Sequence, residues 1–229
     1  MIIVPLAGPD FVREDGSVKA EQPFKDSTLL QYCLESRPWA HLGGTGGGGY
    51  VFVMYDCAAT RRFAAEYLAQ HYPESKKVWL SAYTKGAAFS AAAGIALADP
   101  NEPLIVDLAD IYYRSEEGDP YRRFDGPDGC DAIALTFPSD KPQYSYLREE
   151  NGRVVEAREK VVISNHASAG TYIFKDARRY YEALAWYLAN PDYCHNGLYF
   201  VCPLYNGVPA HGGVVERSEV ELLEDIKVL

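Results

Sequence analysis

The chain has 229 residues, 48% hydrophobic and 24% charged, with a net charge of −10 and a pI of about 5.0. Such a chain can bury a sizeable core without staples, and its acidic balance excludes a duplex-binding role, which needs a basic surface against phosphates. Five widely spaced cysteines (Cys33, Cys57, Cys130, Cys194, Cys202) with no CxxC pair argue against a zinc site or a disulfide framework and suit a reducing cytoplasm. No cationic segment precedes IIVPLAG, so no signal peptide is expected. The most apolar stretch, AAFSAAAGIALA (87–98), is too short to span a bilayer.

IIVPL (2–6) reads as an apolar strand. Ser27 is placed to cap a helix through TLLQYCLES, with Pro38 beyond its end. Six of the seven residues Gly43 to Gly49 are glycine. A phosphate loop needs a strand before it and a helix after it, so that N–H groups and the helix end converge on the anion. This tract is instead followed by YVFVMY (50–55), a strand, and no GKS or GKT follows, so it reads as a slack surface connector. Thr60 then caps RRFAAEYLAQHY, which Pro73 stops. KVWL (77–80) is a strand, Thr84-Lys85-Gly86 opens a helix over 87–98, and PLIVDL (103–108) is a further strand. These repeated β-α units predict an α/β fold, a mostly parallel central sheet covered by helices.

The second half is more irregular. Residues 115–129 read as a surface loop, and DAIALTF, YSYLR, RVVEA, KVVIS and GTYIF read as strands, with a hairpin turn at Asn151-Gly152. Asp176 caps an amphipathic helix over 176–190, which offers a homo-oligomer interface, and LYFVCPLYN (198–206) reads as a strand and turn. The whole is expected to be a single domain over 1–229, with a Rossmann-like lobe (1–114) and a smaller β-rich lobe (130–229).

In open α/β sheets, ligands bind at the carboxyl ends of the strands. There, Leu6, Ala7 and Gly8 offer close backbone approach to a flat base, and Arg13 and Lys19 bring cations within reach of a triphosphate. Gly86, Ala87 and Ala88 leave room at a helix start, and Asp110, with Asp107 nearby, can hold Mg²⁺, a hard cation that takes carboxylate oxygens.

Three stretches carry a family resemblance: IIVPLAG at the start, EKVVISNHASAGTYIF (159–174), and LYFVCPLYNGVPAHGGVV (198–215), with PLIVDLADIYY between the first two. They resemble the sugar-phosphate nucleotidyltransferases, or nucleoside-diphosphate-sugar pyrophosphorylases, of glycosyltransferase-A-type fold, in a capsule- and surface-polysaccharide-type subgroup. The resemblance implies that Leu6, Ala7, Gly8, Gly86, Ala87 and Ala88 hold the nucleotide and that Asp110 binds the metal. It implies that Lys19 or Arg13 stabilises the triphosphate, and that Glu159, Lys160, Gly170, Tyr205 and Asn206 face the second substrate. It also implies a cytoplasmic enzyme with Mg²⁺ as cofactor. An NTP and a small phosphorylated substrate would be its partners, with no nucleic acid or membrane, and it would serve surface polysaccharide precursor synthesis. The first loop departs from the family pattern: GxGxR and a Lys-Pro pair become GPDFVR and VKAEQP, which sets Asp10 where phosphates should lie. Glu216, Glu224 and Asp225 are equal candidates for a second metal ligand.

Plainer readings stand beside these. Lys19 and Arg13 also fit solvated loop charges, Asp110 a cap, Asp107 a structural hydrogen-bonding residue, and Glu159-Lys160 an exposed pair. Cys194-His195 has no partner pair for a metal, and nothing sets His166 or His211 near a nucleophile. Two other functions remain open: a glycosyltransferase that uses Asp107 and Asp110 as a degenerate DxD site, and a catalytically inactive relative that binds a nucleotide or sugar nucleotide.

Overall fold

Ile2–Leu6 forms β1, an inner strand of the main sheet. Its residues alternate between two apolar cores: Ile2, Val4 and Leu6 pack on one face of the sheet, and Ile3 on the other. A strand buried on both faces reads as a continuous apolar run, and this one does. A computed structural model describes residues 1–126 and 128–225, with only the backbone of Asp225.

Around β1 lie β2 (Tyr50–Tyr55), β3 (Lys76–Leu80) and β4 (Leu104–Asp107), all parallel, in the order β3-β2-β1-β4. After β4 the chain adds β5 (Ile111–Arg114), β6 (Ala132–Pro138), β7 (Ser145–Glu150), β8 (Arg153–Glu159) and β9 (His166–Phe174). It ends with β10 (Val215–Glu219) and β11 (Glu221–Asp225). β9 runs antiparallel to β4 and joins the parallel half to the β6-β7-β8 half, so one nine-stranded sheet passes through both. β5 and β11 pair separately. Helices α1 (Leu29–Glu35) and α2 (Ala58–Phe63, extended to His71) cover one face. Helices α3 (Ala87–Ile95) and α4 (Ala177–Ala189) cover the other. This is the expected α/β architecture. Among the described residues no helix is long and apolar enough to cross a membrane.

Several local expectations are corrected. The glycine tract is not slack. A Cβ on Gly43 would lie 2.2 Å from a Tyr50 ring carbon, and one on Gly49 would lie 2.3 Å from the Leu42 carbonyl oxygen. Gly49 also accepts a hydrogen bond from Ile2 N at 2.9 Å, which puts the tract at the start of β1 and β2, opposite their carboxyl ends. Thr28, not Ser27, caps α1 by accepting from Gln31 N. α2 starts at Ala58, and Thr60, its third residue, reaches back to the Cys57 N–H at 3.2 Å. α3 ends at Ile95, before 98.

KVVIS is a loop, because Lys160 takes φ 55 and breaks the strand, leaving Val161 and Val162 exposed. LYFVCPLYN forms a 3₁₀ turn over Cys202–Asn206, since Pro203 has no N–H for a ladder. The Asn151-Gly152 turn does join β7 to β8, with φ 52 and 78. The two C-terminal strands lack clear alternation and are missed by the sequence pattern.

Candidate active site

The segments leaving β1, β3 and β4 meet at the carboxyl ends of the parallel strands and enclose a cleft of about 410 Å³. Leu6, Ala7, Gly8, Lys19, Gly86, Ala87 and Asp110 all line it, although residues 6 and 110 are far apart in the chain. Seven expected residues therefore come together.

Asp110 is set by a buried brace. Arg37 and Asp107 are both fully buried and form a two-pronged pair, with Nε to Oδ2 at 2.8 Å and Nη2 to Oδ1 at 3.2 Å. Burial opposes the Arg37 charge, but Asp107 outweighs it and holds the guanidinium above its ordinary pKa. Arg37 also donates to the Ile111 carbonyl at 3.0 Å and lies 3.9 Å over the Tyr113 ring. Asp107 accepts from the Ala109 N–H at 2.9 Å. Ala109 takes φ 51, a left-handed conformation that alanine rarely adopts, and so turns the chain between Asp107 and Asp110. Both Asp107 oxygens are thus engaged, Oδ2 by Arg37 and Oδ1 by Arg37 and the Ala109 N–H.

Gly170 of β9 backs the acid. It takes φ 76, and a Cβ there would lie 3.1 Å from Asp110 Oδ1. Its carbonyl accepts from Leu108 N at 3.0 Å. Gly170 thus stands against the cleft acid, though it does not line the cavity.

The α3 side differs from expectation. Gly86 takes φ 115, and any Cβ would lie 2.3 Å from the Tyr199 carbonyl oxygen. That oxygen accepts the Ala88 N–H at 3.0 Å, and Tyr199 N donates to the Lys85 carbonyl at 2.7 Å. The room that Gly86 leaves is taken by the Tyr199 backbone, and Ala88 is buried beneath it. Beside them Tyr83 lines the cleft, is 52% exposed, and stacks on Tyr55 with centroids 4.3 Å apart at 20°.

The other expected residues stand apart from the cavity. Arg13 lies just inside a small loop closed by Val12 and Val18, and donates to Gln22 Oε1. Asp10, in contrast, does line the cleft, with Oδ1 folded back to 2.7 Å from where a Gly8 Cβ would be. Glu159 is buried and accepts from Ser145 Oγ, and Lys160 Nζ lies 5.7 Å from the Phe200 centroid. Tyr205 is a core residue whose hydroxyl donates to the Ile133 carbonyl at 2.6 Å. Asn206 clamps β8: its Oδ1 accepts from Ala157 N at 2.8 Å and its Nδ2 donates to the Ala157 carbonyl at 2.8 Å.

Of the three further acids, Glu216 pairs with Arg123 and Glu224 with Lys25. The register of β11 against β5 sets Asp225 opposite Ile111, next to Asp110 in the chain. Arg37, Tyr83 and Leu198, which also lines the cleft, are among the site elements that sequence reasoning missed. Arg37 sits in SRPW, just past a helix, with no pattern that ties it to an aspartate 70 residues away.

No protein-family profile and no curated protein matches the chain. Solved structures do. The nucleoside-diphosphate-sugar pyrophosphorylase from Vibrio cholerae RC9 is 21% identical with a TM-score of 0.78, over 96% of this chain and 91% of that one. The inositol-1-phosphate CTP transferase from T. maritima is 14% identical with a TM-score of 0.65, over 95% and 84%. A UDP-glucose pyrophosphorylase complexed with UDP-glucose is 19% identical with a TM-score of 0.66, over 96% and 90%. The chain therefore has the mixed α/β fold of these proteins, with a sheet that is parallel through β3-β2-β1-β4 and flanked by helices.

Proposed function

We propose that the chain is a Mg²⁺-dependent nucleotidyltransferase that joins an NTP to a sugar phosphate or similar small phosphorylated substrate and releases pyrophosphate. The observation that carries this reading is the convergence of Leu6–Gly8, Lys19, Gly86-Ala87 and Asp110 on one cleft at the strand ends. The names of the similar structures, pyrophosphorylases and a CTP transferase, support it. Precursor synthesis for a surface polysaccharide is the role in keeping with the sequence resemblance.

The residues present fit a magnesium ion. Asp110 supplies a carboxylate at the cleft wall, Gly170 presents no side chain against it, and the backbone of Asp225 lies opposite Ile111, its neighbour in the chain. Among the described residues no group of three or more His, Cys, Asp or Glu forms a ready-made metal cage. Mg²⁺ suits such a site, because it is commonly held by one or two carboxylates and completed by substrate phosphates and water. When bound, it would supply charge neutralisation to those phosphates.

The chain's own residues would do the rest. The Leu6–Gly8 backbone and the exposed face of Tyr83 would hold the base. Lys19 would offset charge on the triphosphate while an acceptor phosphate oxygen attacks the α-phosphorus in line, a step that needs positioning and charge stabilisation but no covalent enzyme intermediate. None of Glu159, Lys160 and Gly170 lines the cleft, so their assignment to the acceptor end rests on the sequence resemblance alone.

Asp10 favours a second reading: a relative that binds a nucleotide or sugar nucleotide without turnover. A carboxylate in the cleft repels a triphosphate, and Arg13 is turned onto Gln22 instead. The deciding experiment is pyrophosphate release from CTP, UTP, dTTP, ATP and GTP with Mg²⁺ and a panel of sugar phosphates and phosphorylated alcohols. Release that depends on one NTP and one acceptor, and is absent in Asp110→Ala, is the expected result. Silence across the panel with measurable nucleotide binding would overturn the transferase in favour of the second reading.

A further inference from the structure

Outside the cleft, three aromatic rings from three elements form a box. Phe24 comes from the Pro23–Phe24 strand of a short hairpin, Tyr32 from α1 and Tyr112 from β5. The rings meet edge to face. Centroids are 5.1 Å apart for Phe24 and Tyr32, 4.9 Å for Tyr32 and Tyr112, and 6.1 Å for Phe24 and Tyr112, with interplanar angles of 72°, 73° and 69°. Three nearly perpendicular rings make a corner. The Lys25 ammonium occupies it, 4.3 Å from the Tyr112 centroid, 4.9 Å from Tyr32 and 5.3 Å from Phe24. Glu224 Oε2 adds a counter-charge 4.0 Å from the same nitrogen.

The box suits a cation better than it suits this one. A primary ammonium is compact and strongly hydrated and has three N–H groups to satisfy. Ring faces satisfy these poorly, and Glu224 stands beyond hydrogen-bond reach. Lys25 takes φ 52, the left-handed conformation that the two-residue loop between Phe24 and Ser27 calls for. The lysine side chain stays 43% exposed at a turn tip, free to swing outward. A fully alkylated nitrogen has no N–H and sheds its water more readily, and aromatic walls with a nearby carboxylate are what recognise it.

We propose that Phe24, Tyr32, Tyr112 and Glu224 form a binding site for a small quaternary ammonium ion, with Lys25 as an internal plug that the ligand displaces. The site is distinct from the cleft: α1 gives Leu29 and Leu30 to the cleft wall and Tyr32 to the box. It does not depend on the nucleotidyltransferase reading.

The test is titration of the full chain with tetramethylammonium chloride, followed by tyrosine fluorescence and the ring resonances of the aromatic residues, against potassium chloride at equal ionic strength. Wild type should bind saturably, Lys25→Gly about tenfold more tightly, and Tyr112→Ala and Glu224→Gln at least about tenfold more weakly. Far-UV circular dichroism checks that each variant is folded. No saturable binding by wild type overturns the proposal, whether or not Lys25→Gly binds, because a plug that cannot be displaced leaves no site in the native chain. Equal binding by wild type and a folded Tyr112→Ala overturns it as well.

Discussion

Arg37 holds Asp107 from below the cleft, and the same aspartate fixes the Ala109 turn that presents Asp110. The pair is fully buried, so neither partner can be removed cleanly. Loss of one charge leaves the other unpaired in the core, at a cost of about 3–5 kcal/mol. Arg37→Met and Asp107→Asn should each lower stability in urea unfolding by about that amount. The double variant should recover part of it, because it leaves no lone buried charge. A double variant no more stable than either single would show that the pair does not act as a unit.

The parallel half of this site was legible in the sequence. Strands β1, β3 and β4 run into segments that carry small or acidic residues, and the strand-end rule then points to Gly8, Gly86 and Asp110. The brace was not legible, because Arg37 and Asp107 meet only through the fold. The resemblance makes Tyr205 and Asn206 ligand-facing, but polar groups on a buried turn also serve the backbone, and here they bond to Ile133 and Ala157. One-letter patterns do not separate these two uses. The glycine tract misled in another way: glycine marks slack chain and close approach alike, and only neighbours such as Tyr50 decide between them.

Gly86 tests that distinction. An alanine there meets the Tyr199 carbonyl at 2.3 Å and must also take φ 115. Gly152 takes φ 78 with nothing within 4 Å of its would-be Cβ. Gly152→Ala should therefore cost about 1 kcal/mol, from backbone strain alone, and Gly86→Ala distinctly more. Urea midpoints of the two variants, compared at equal m-values, check the difference. Equal losses would mean that the Tyr199 strap yields freely.

Alkaline pH should weaken the fold through Cys33. Burial pushes its thiol up to about 12 from an ordinary value of 9.0, with Arg37 opposing the shift. Above about pH 9 the unfolded chain gives up a proton that the folded chain keeps, so this contribution to stability is full below pH 9 and is lost as pH rises toward 12. Unfolding free energies at pH 8 and 10 should fall more steeply in wild type than in Cys33→Ala, even though the alanine variant starts lower from its cavity. Parallel slopes would remove Cys33 from the account.

Tyr83 should decide how well the cleft holds a base. Its inner face is taken by Tyr55, and its outer face is exposed beside Gly86 and Ala87. Stacking on an aromatic ring contributes about 1–3 kcal/mol per base. On the nucleotidyltransferase reading, Tyr83→Ala should weaken nucleotide binding at least about fivefold in calorimetry, and Tyr83→Phe should leave it nearly unchanged. Loss in both variants would assign the contribution to the hydroxyl and not to the ring face.

Asp10 gives the sharpest contrast between the two readings of the cleft. Its carboxylate lines the cavity, and the cation expected nearby, Arg13, is turned onto Gln22. If the charge merely opposes a triphosphate, Asp10→Asn should tighten NTP binding by about tenfold at low salt, and the gain should shrink as salt screens the site. If instead Asp10 helps hold a cation brought in with the phosphates, the same variant should weaken binding in Mg²⁺ and leave binding in EDTA unchanged. Calorimetry of one NTP against both proteins, with and without Mg²⁺, separates the cases. The sign of the change in Mg²⁺ then tells whether Asp10 opposes phosphate binding in this cleft or serves it through a cation.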